Sequence, residues 1–500
     1  MGLTLAFHLL AAVFSDGFHH ADEHFQILEF SAAQVLTSAP SVWEYEAEMR
    51  PWLLPSVVTV LIETWRAFGV DDPLLWAMSF RILSALLSCA ALYLLVLCLP
   101  GWITDATLLK VAIPATCLIW FLPYLDARGS GENWSGTLFL LGFAPLLLAE
   151  QHVQQKVAPT RHYWLLGFAC GLCWGLAFHC RYHIAVACIG ATLWLIVYSR
   201  LPKTTLIALV CGSLGALYLG GYLDALGYNH WVLTAWNYFE QNILLDKASD
   251  FGVDPFYFYI QQGLIQGIPP ISIVLLAGPV LCWILLPKHP LTWITLPFVL
   301  LHLLVPHKEL RFLFPIAVFA VPMAFLALNE LARDSHFIRQ RIVKLRPVTW
   351  SPLIVLNFVA MIIVSAVPAR VDIDMYRTIN ALSPDRIYAW QESPYQRHGL
   401  TVSFYRPEAL QVDVVTDSHA LSNILRFTEE PVWITVKDFS HHALDGRCSL
   451  ISRNLPGWLA APYLQDYAWH KKLRIISLFQ CEPTRNAIAS RTSTQSLIGE

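Results

Sequence analysis

The sequence predicts an all-α polytopic membrane protein of about eleven transmembrane helices, followed by a C-terminal aqueous domain of α/β type. Three observations predict it. Of the 500 residues 56% are hydrophobic and only 14% charged; nineteen are tryptophan; and the apolar residues gather in runs separated by charged or turn-rich loops. A soluble domain of ordinary make-up does not have this composition. The formal net charge of -3 provides no basic face for a phosphodiester backbone, so nucleic acid is excluded as a partner.

The apolar runs lie near 1–14, 74–99, 107–124, 136–149, 164–179, 183–199, 204–222, 259–286, 291–306, 312–331 and 350–367. An upright helix needs roughly 20 apolar residues, so several runs must tilt or extend into their loops. If each run crosses, Lys156, Arg161, Arg200, Lys203, Lys288, Arg333, Arg339, Arg341, Lys344 and Arg346 fall on one side, and such enrichment marks the cytoplasm. Asp22, Glu23, Asp224, Asp246, Asp250, Asp254 and the segment 307–311 then face the lumen or periplasm. The first run has neither a basic n-region nor a small-residue cleavage pattern and reads as an uncleaved helix. Residues 15–73 form a long external loop with amphipathic pieces; its Trp43, Tyr45, Trp52 and Trp65 suit a headgroup boundary. Residues 223–258 form a second external loop.

After Pro368 the composition becomes mixed, with β-type runs such as 431–436, which divides the chain into a membrane portion, 1–368, and an extracytoplasmic portion, 369–500. Cys448 and Cys481 lie in the second portion. Outside the cytoplasm they can pair, but spacing alone leaves two unrelated thiols equally open. The other nine cysteines sit in or beside apolar runs and read as small core residues. No Cys or His spacing suits a metal.

Two ionisable clusters stand out. Asp22 and Glu23 follow His19 and His20, and adjacent carboxylates in a partly dry cleft do not both ionise easily, so one is a candidate proton acceptor. Alone, the pair reads more simply as a solvated acidic loop. The second cluster changes the balance: His307, Lys308 and Arg311 end an apolar run, where ionisable groups are costly and need a functional reason. Arg can fork onto two phosphate oxygens while Lys adds a point charge. Snorkelling basic side chains belong on the cytoplasmic side instead, although Glu309 could neutralise one of these cations. Arg128, Glu132 and Asn133, Arg181, and Asp246 add external polar groups able to bond sugar hydroxyls, each indistinguishable by itself from an ordinary loop residue.

Taken together and in order, these segments resemble the GT-C mannosyltransferases of glycosyltransferase family 22. His20-Ala21-Asp22-Glu23-His24-Phe25-Gln26 is similar to that family's His-Pro-Asp-Glu-x-x-Gln, with Ala21 in place of proline. Trp43-Glu44-Tyr45 with Arg50, the stretch 128–133, and 246–252 with Tyr257 and Tyr259 match weaker signatures. His307-Lys308-Glu309-Leu310-Arg311-Phe312 with Pro315 matches the most specific one. The resemblance covers about residues 15–320. It implies a GT-C fold and an inverting transfer of mannose from a polyprenyl (dolichyl-type) phosphate mannose donor to a lipid-linked glycan acceptor, as an α-mannoside. By the same resemblance Asp22 is the base with Glu23 as its orienting partner, or the reverse. His307, Lys308 and Arg311 hold the donor phosphate, and His20, Gln26, Arg128, Glu132, Asn133, Arg181 and Asp246 line the substrate site. No cofactor and no metal is implied, because no pyrophosphate has to be neutralised. A lipid-glycan flippase would instead spread charged positions through several helices. A non-catalytic subunit of a glycan-assembly complex would have lost the base or the cations.

Overall fold

The longest apolar run becomes one 30-residue helix, Pro73–Trp102. Pro73 pre-sets its first turn, and the Asp72 carboxylate caps it by accepting the Leu74 N–H at 2.9 Å. At 1.5 Å per residue the helix reaches about 45 Å, more than a bilayer's hydrocarbon core. This computed structural model describes residues 1–36, 40, 42–154, 162–334, 347–397, 399–437, 444, 448–455 and 474–482. Lys156, Arg161, Arg339, Arg341, Lys344 and Arg346, which helped to define the cytoplasmic side, lie outside those residues.

Gly131–Gln154, Tyr163–Cys180 and Lys203–Tyr228 are also long and apolar enough to cross a membrane. Two further candidates are bent pairs: Ile271–Leu285 with Pro290–Leu304, turned by 118°, and Leu310–Ala317 with Ala320–Arg333, turned by 62°. Among the described residues, length and composition therefore support four crossings, or six if each bent pair is one, and not eleven. The reason is geometric. Gly2–Phe14, Ala106–Cys117, Tyr182–Tyr198 and Ser351–Ala366 are apolar helices of 10–17 residues, so at 1.5 Å per residue they reach at most about 26 Å against a hydrocarbon core of about 30 Å. Counting runs one at a time also scores the two arms of the Ile271–Leu285 and Pro290–Leu304 pair as two spans.

Small residues draw the helices together. Gly167, Gly171 and Gly175 form a stripe at four-residue spacing on Tyr163–Cys180, and a Cβ on any of them would strike the Lys203–Tyr228 helix at Thr205, Leu209 or Ser213 and Ala216. Close backbone approach of this kind replaces the hydrophobic driving force that lipid cannot supply. Phe139, Phe143, Trp174, Phe298 and Phe319 fill the adjoining core.

The C-terminal region adds strands β1 (Arg386–Trp390), β2 (Gln396–Arg397), β3 (Leu400–Thr401), β4 (Gln411–Val415), β5 (Val432–Lys437), β6 (Cys448–Arg453) and β7 (Ile476–Cys481). Five of them form a sheet in the order β4-β1-β5-β7-β6, with β1 parallel to β4 and β5, and β7 antiparallel to β5 and β6. The helix Ser418–Phe427 carries the crossover from β4 to β5; Asp417 caps it, and Leu421 and Leu425 bury its apolar face. Cys448 stands opposite Cys481 in the register, and the two are joined by a disulfide, which resolves the alternative left open by their spacing. This region shares a core with the first external loop and the start of the Pro73–Trp102 helix: Phe25, Phe30, Trp52 and Trp76 pack in one cluster with Tyr376, Phe404, Tyr405 and Leu478.

Candidate active site

Asp22 and Glu23 sit on a single helical turn, Ala21–Glu23, which continues as a five-residue π-turn, His24–Leu28, and then as the helix Glu29–Val35. His20 caps the turn: its Nδ1 accepts the Asp22 N–H at 3.2 Å. A π-turn inserts one residue into the helical repeat, and such insertions recur at functional sites.

The first turn of Gly131–Gln154 brings Glu132 to this loop. Ser130 Oγ accepts the Asn133 N–H at 3.1 Å, and Gly131 lets the helix start abut the end of Tyr163–Cys180, since a Cβ there would lie 2.6 Å from the Cys180 carbonyl. The Ser-Gly-Glu order thus sets Glu132 beside Arg181. Arg311 arrives on the 3-10 turn Leu310–Leu313, followed by Pro315, against which Gly136 packs.

The charges meet at Arg311. Its Nη1 donates to Asp22 Oδ2 at 2.7 Å and to Glu132 Oε1 at 3.1 Å. Its Nε and Nη2 fork onto Glu309 at 2.5 and 2.9 Å. Arg181 Nη2 donates to Glu132 at 2.6 Å and reaches Asp22 at 3.4 Å. His20 bridges Asp22 and Glu309, 3.3 Å from each, and His307 Nε2 is 3.1 Å from Glu309. Three carboxylates thus share two guanidinium groups, and four of the five Arg311 N–H donors are engaged, so an arriving anion can fork onto Arg311 with two bonds only by displacing a carboxylate from it.

The paired carboxylates differ electrostatically. Burial pushes Asp22 up, but the Arg311 charge, the His20 contact and the Arg50 and Arg181 charges together hold it well below the usual carboxylate range. Burial pushes Glu23 up, and the Arg128 charge and the His19 N–H, 3.1 Å away, only partly counter it. Glu309 would also be raised by burial, but Arg311 and His20 bring it down to about 2.

Asp22, Glu23, Gln26, Glu132 and Arg181 line a cleft together with Arg50, Tyr182 and Tyr238, and Arg311 stands behind it, bonded to Asp22 and Glu132. Gln26 bonds Glu44 at 3.3 Å and accepts from Arg181 at 3.5 Å. Arg50 lies 5.4 Å over the Tyr238 ring, which in turn packs at 5.3 Å against Tyr182. Among the described residues, no group of three or more His, Cys, Asp or Glu could hold a metal ion.

Of the residues expected at the site, Asp22, Glu23, His20, Gln26, Glu132, Arg181, His307 and Arg311 come together. Four others have different surroundings. Lys308 Nζ is directed at the carbonyls of Val305, Pro306 and Asp254 at 2.7, 3.3 and 3.0 Å, which fastens the loop instead of facing the cleft. Arg128 is buried and bonds the carbonyls of Ser15 and Gly17, with Glu23 4.0 Å away. Asn133 Nδ2 holds the Asp126 and Arg128 carbonyls. Asp246 is exposed, in a left-handed conformation, and accepts from Ser249 Oγ at 2.7 Å. Conversely, Glu309, Arg50, Tyr182 and Tyr238 were not assigned to the site from sequence. Glu309 lies inside the 307–312 segment two positions from Arg311, and Tyr182 directly follows Arg181, so adjacency was the available signal.

The family model of Alg9-like mannosyltransferases matches residues 1–397. GPI alpha-1,2-mannosyltransferase 3 of Danio rerio is 25% identical over 323 residues, 62% of this chain and 55% of that protein. Mannosyltransferase APTG1 of Arabidopsis thaliana is 22% identical over 372 residues, 70% of this chain and 63% of that protein. The chain thus spans less than two thirds of the length of these curated relatives. In fold it is similar to ArnT from Cupriavidus metallidurans, solved bound to undecaprenyl phosphate, at a TM-score of 0.53 and 11% identity, covering 95% of this chain and 96% of that one. With four fifths of its length matched in sequence, the chain belongs to the Alg9-like mannosyltransferase family of GT-C glycosyltransferases.

Proposed function

We propose that the protein transfers mannose, with inversion, from a polyprenyl-phosphate mannose to a hydroxyl of a lipid-linked glycan, giving an α-mannoside. One observation carries the reading: Asp22, which lines the cleft, bonds Arg311, 289 residues away in sequence, at 2.7 Å. Arg311 offers a fork for the donor phosphate, and Asp22 offers an acceptor for the proton of the attacking hydroxyl.

In the reaction the acceptor oxygen forms a bond to the anomeric carbon while the bond from that carbon to the phosphate oxygen breaks. The phosphate leaves with the electron pair, and Asp22 takes the hydroxyl proton. Charge growing on the phosphate is met by Arg311. Donor binding also readies the base. When phosphate takes Arg311, Asp22 loses its strongest partner, and its basicity rises toward the range useful for proton transfer. Glu23, already raised, orients Asp22 or exchanges roles with it. Arg181 keeps Glu132 in place, and His20 and His307 hold Glu309 as it yields part of Arg311. Tyr182 and Tyr238 with Arg50 supply the aromatic and hydrogen-bonding wall a pyranose ring requires. Lys308 shapes the phosphate-side loop. In this reading the site faces the lumen or periplasm, and the chain divides near 368 into a membrane portion and an extracytoplasmic one.

The test is transfer from radiolabelled polyprenyl-phosphate mannose to a panel of lipid acceptors, with the anomeric configuration of the product read by NMR. An α-mannoside formed from a β-linked donor, with one polyprenyl phosphate released per transfer, is expected. A β-mannoside, or no transfer to any acceptor, contradicts the reading.

A further inference from the structure

The face of the acid loop turned away from the cleft carries a second histidine–carboxylate pair, buried and not part of the mechanism. His24 Nε2 lies 2.7 Å from Glu29 Oε1. The His24 side chain is fully buried and that of Glu29 only 4% exposed. In a regular α-helix residues five apart point about 140° away from each other. The π-turn closes that angle: the Glu29 N–H bonds the His24 carbonyl, and the two side chains meet across it.

The C-terminal region grips this pair. Glu29 Oε1 also accepts the backbone N–H of Phe404 at 3.1 Å. The His24 ring is sandwiched between Phe18, at 5.1 Å and 21°, and Tyr405, at 5.5 Å and 5°. Two arginines from the same region, Arg370 and Arg397, lie 4.8 and 5.4 Å from the centre of the Phe18 ring. Just upstream, the Asp16 carbonyl accepts the Arg370 N–H at 3.2 Å, and the Asp16 carboxylate pairs with Arg377 and Arg81. The segment 16–29 therefore carries Asp22 and Glu23 on one face and is clamped by residues 370–405 on the other. A buried polar pair of this kind is weak evidence for stability, but it is suited to fixing one conformation.

We propose that His24 and Glu29 are positioning residues, through which the C-terminal region sets the direction of the Asp22 and Glu23 carboxylates. Neither side chain touches substrate. The inference rests on the proposed mannosyl transfer for its kinetic readout and carries a second readout that does not. Glu29→Gln keeps an acceptor for the Phe404 N–H and a polar group beside His24 Nε2; Glu29→Leu loses both; His24→Phe keeps the ring sandwich and loses the pair. Displacing a catalytic group by about 1 Å costs on the order of a hundredfold in rate. Glu29→Leu is therefore expected to lose about a hundredfold in kcat with donor KM and polyprenyl-phosphate binding within about twofold of wild type, His24→Phe about tenfold, and Glu29→Gln less than threefold. Without any donor, hydrogen exchange across residues 20–28 should rise at least tenfold in Glu29→Leu and in His24→Phe, while exchange in Tyr163–Cys180 stays at its wild-type rate.

Wild-type kcat and wild-type exchange in either variant overturn the inference, and so does an equal loss of kcat in Glu29→Gln and Glu29→Leu. If Glu29→Leu does not fold, His24→Phe decides. A wild-type protein that transfers no mannose refutes the proposed reaction, and the exchange data then decide the positioning role alone.

Discussion

Replacing Arg311 by alanine perturbs the site most informatively, because this side chain, 9% exposed, bonds three carboxylates at once. Removing one partner of a buried ion pair costs about 3–5 kcal/mol, and the partial exposure of Asp22 and Glu309 places the expected loss of stability near the lower end, about 3 kcal/mol. Losing the group that meets the leaving phosphate should cost a further factor of about 10²–10³ in kcat/KM. The distinctive signature is in the pH profile. In the wild type the charges around Asp22 outweigh its burial and hold its pKa low, so the carboxylate is ionised throughout the neutral range. Without Arg311 the effect of burial is less opposed and the pKa rises. A base must be ionised to act, so activity is then lost at a higher pH on acidification, and the acid limb moves up. Arg311→Lys keeps a positive charge without the planar fork; it should leave that limb near its wild-type position and lose roughly tenfold in rate. The assay is mannosyl transfer from pH 4 to 8, alongside thermal unfolding in detergent. Arg311→Ala with kcat/KM within threefold of wild type refutes the phosphate assignment. Lost activity with an unmoved acid limb refutes the coupling to Asp22.

Lys308→Met should lower the melting temperature while raising donor KM less than Arg311→Lys does, because its ammonium group is spent on three backbone carbonyls; a KM effect larger than that of Arg311→Lys returns Lys308 to the phosphate. Stability should hold from pH 7 to 5 and fall as pH drops from about 4.5 toward 2, since Glu309 and Asp22 are depressed in the folded state and lose their contribution on protonation. Glu23, raised by burial, acts in the opposite sense, favouring the fold more at low pH. A melting temperature unchanged between pH 5 and 2.5 contradicts this balance. Transfer should survive EDTA, because in the proposed reaction the leaving group is a monophosphate met by Arg311; activity abolished by EDTA and restored by Mg²⁺ or Mn²⁺ contradicts it.

Much of the site was legible in the sequence because ionisable residues at the edge of lipid are conspicuous. Asp22, Glu23 and Arg311 could be singled out on that ground, and the family resemblance supplied a reason to join them. Partners across the fold were not legible. Glu132 bonds Arg181 only because Gly131 admits the neighbouring helix end, and that is a property of packing. Lys308 looked like Arg311 in one dimension, yet its position two residues past the Pro306 carbonyl directs its ammonium group into the loop. The membrane count failed for a related reason. Apolar content is local, whereas a crossing depends on helix length and on bends such as the 118° turn between Ile271–Leu285 and Pro290–Leu304. The α/β character of the C-terminal region followed from its short β-type runs, but nothing in composition announced that Phe404 and Tyr405 would lie against the acid loop.

The most direct test of the account is to compare polyprenyl-phosphate binding and mannosyl transfer in Asp22→Asn. If phosphate must displace Asp22 from Arg311, the variant should bind polyprenyl phosphate at least as tightly as the wild type, by several-fold if the displacement is costly, while its turnover falls by a factor of about 10² or more. Weaker binding with turnover intact would mean that Asp22 assists the phosphate and that the proton goes elsewhere.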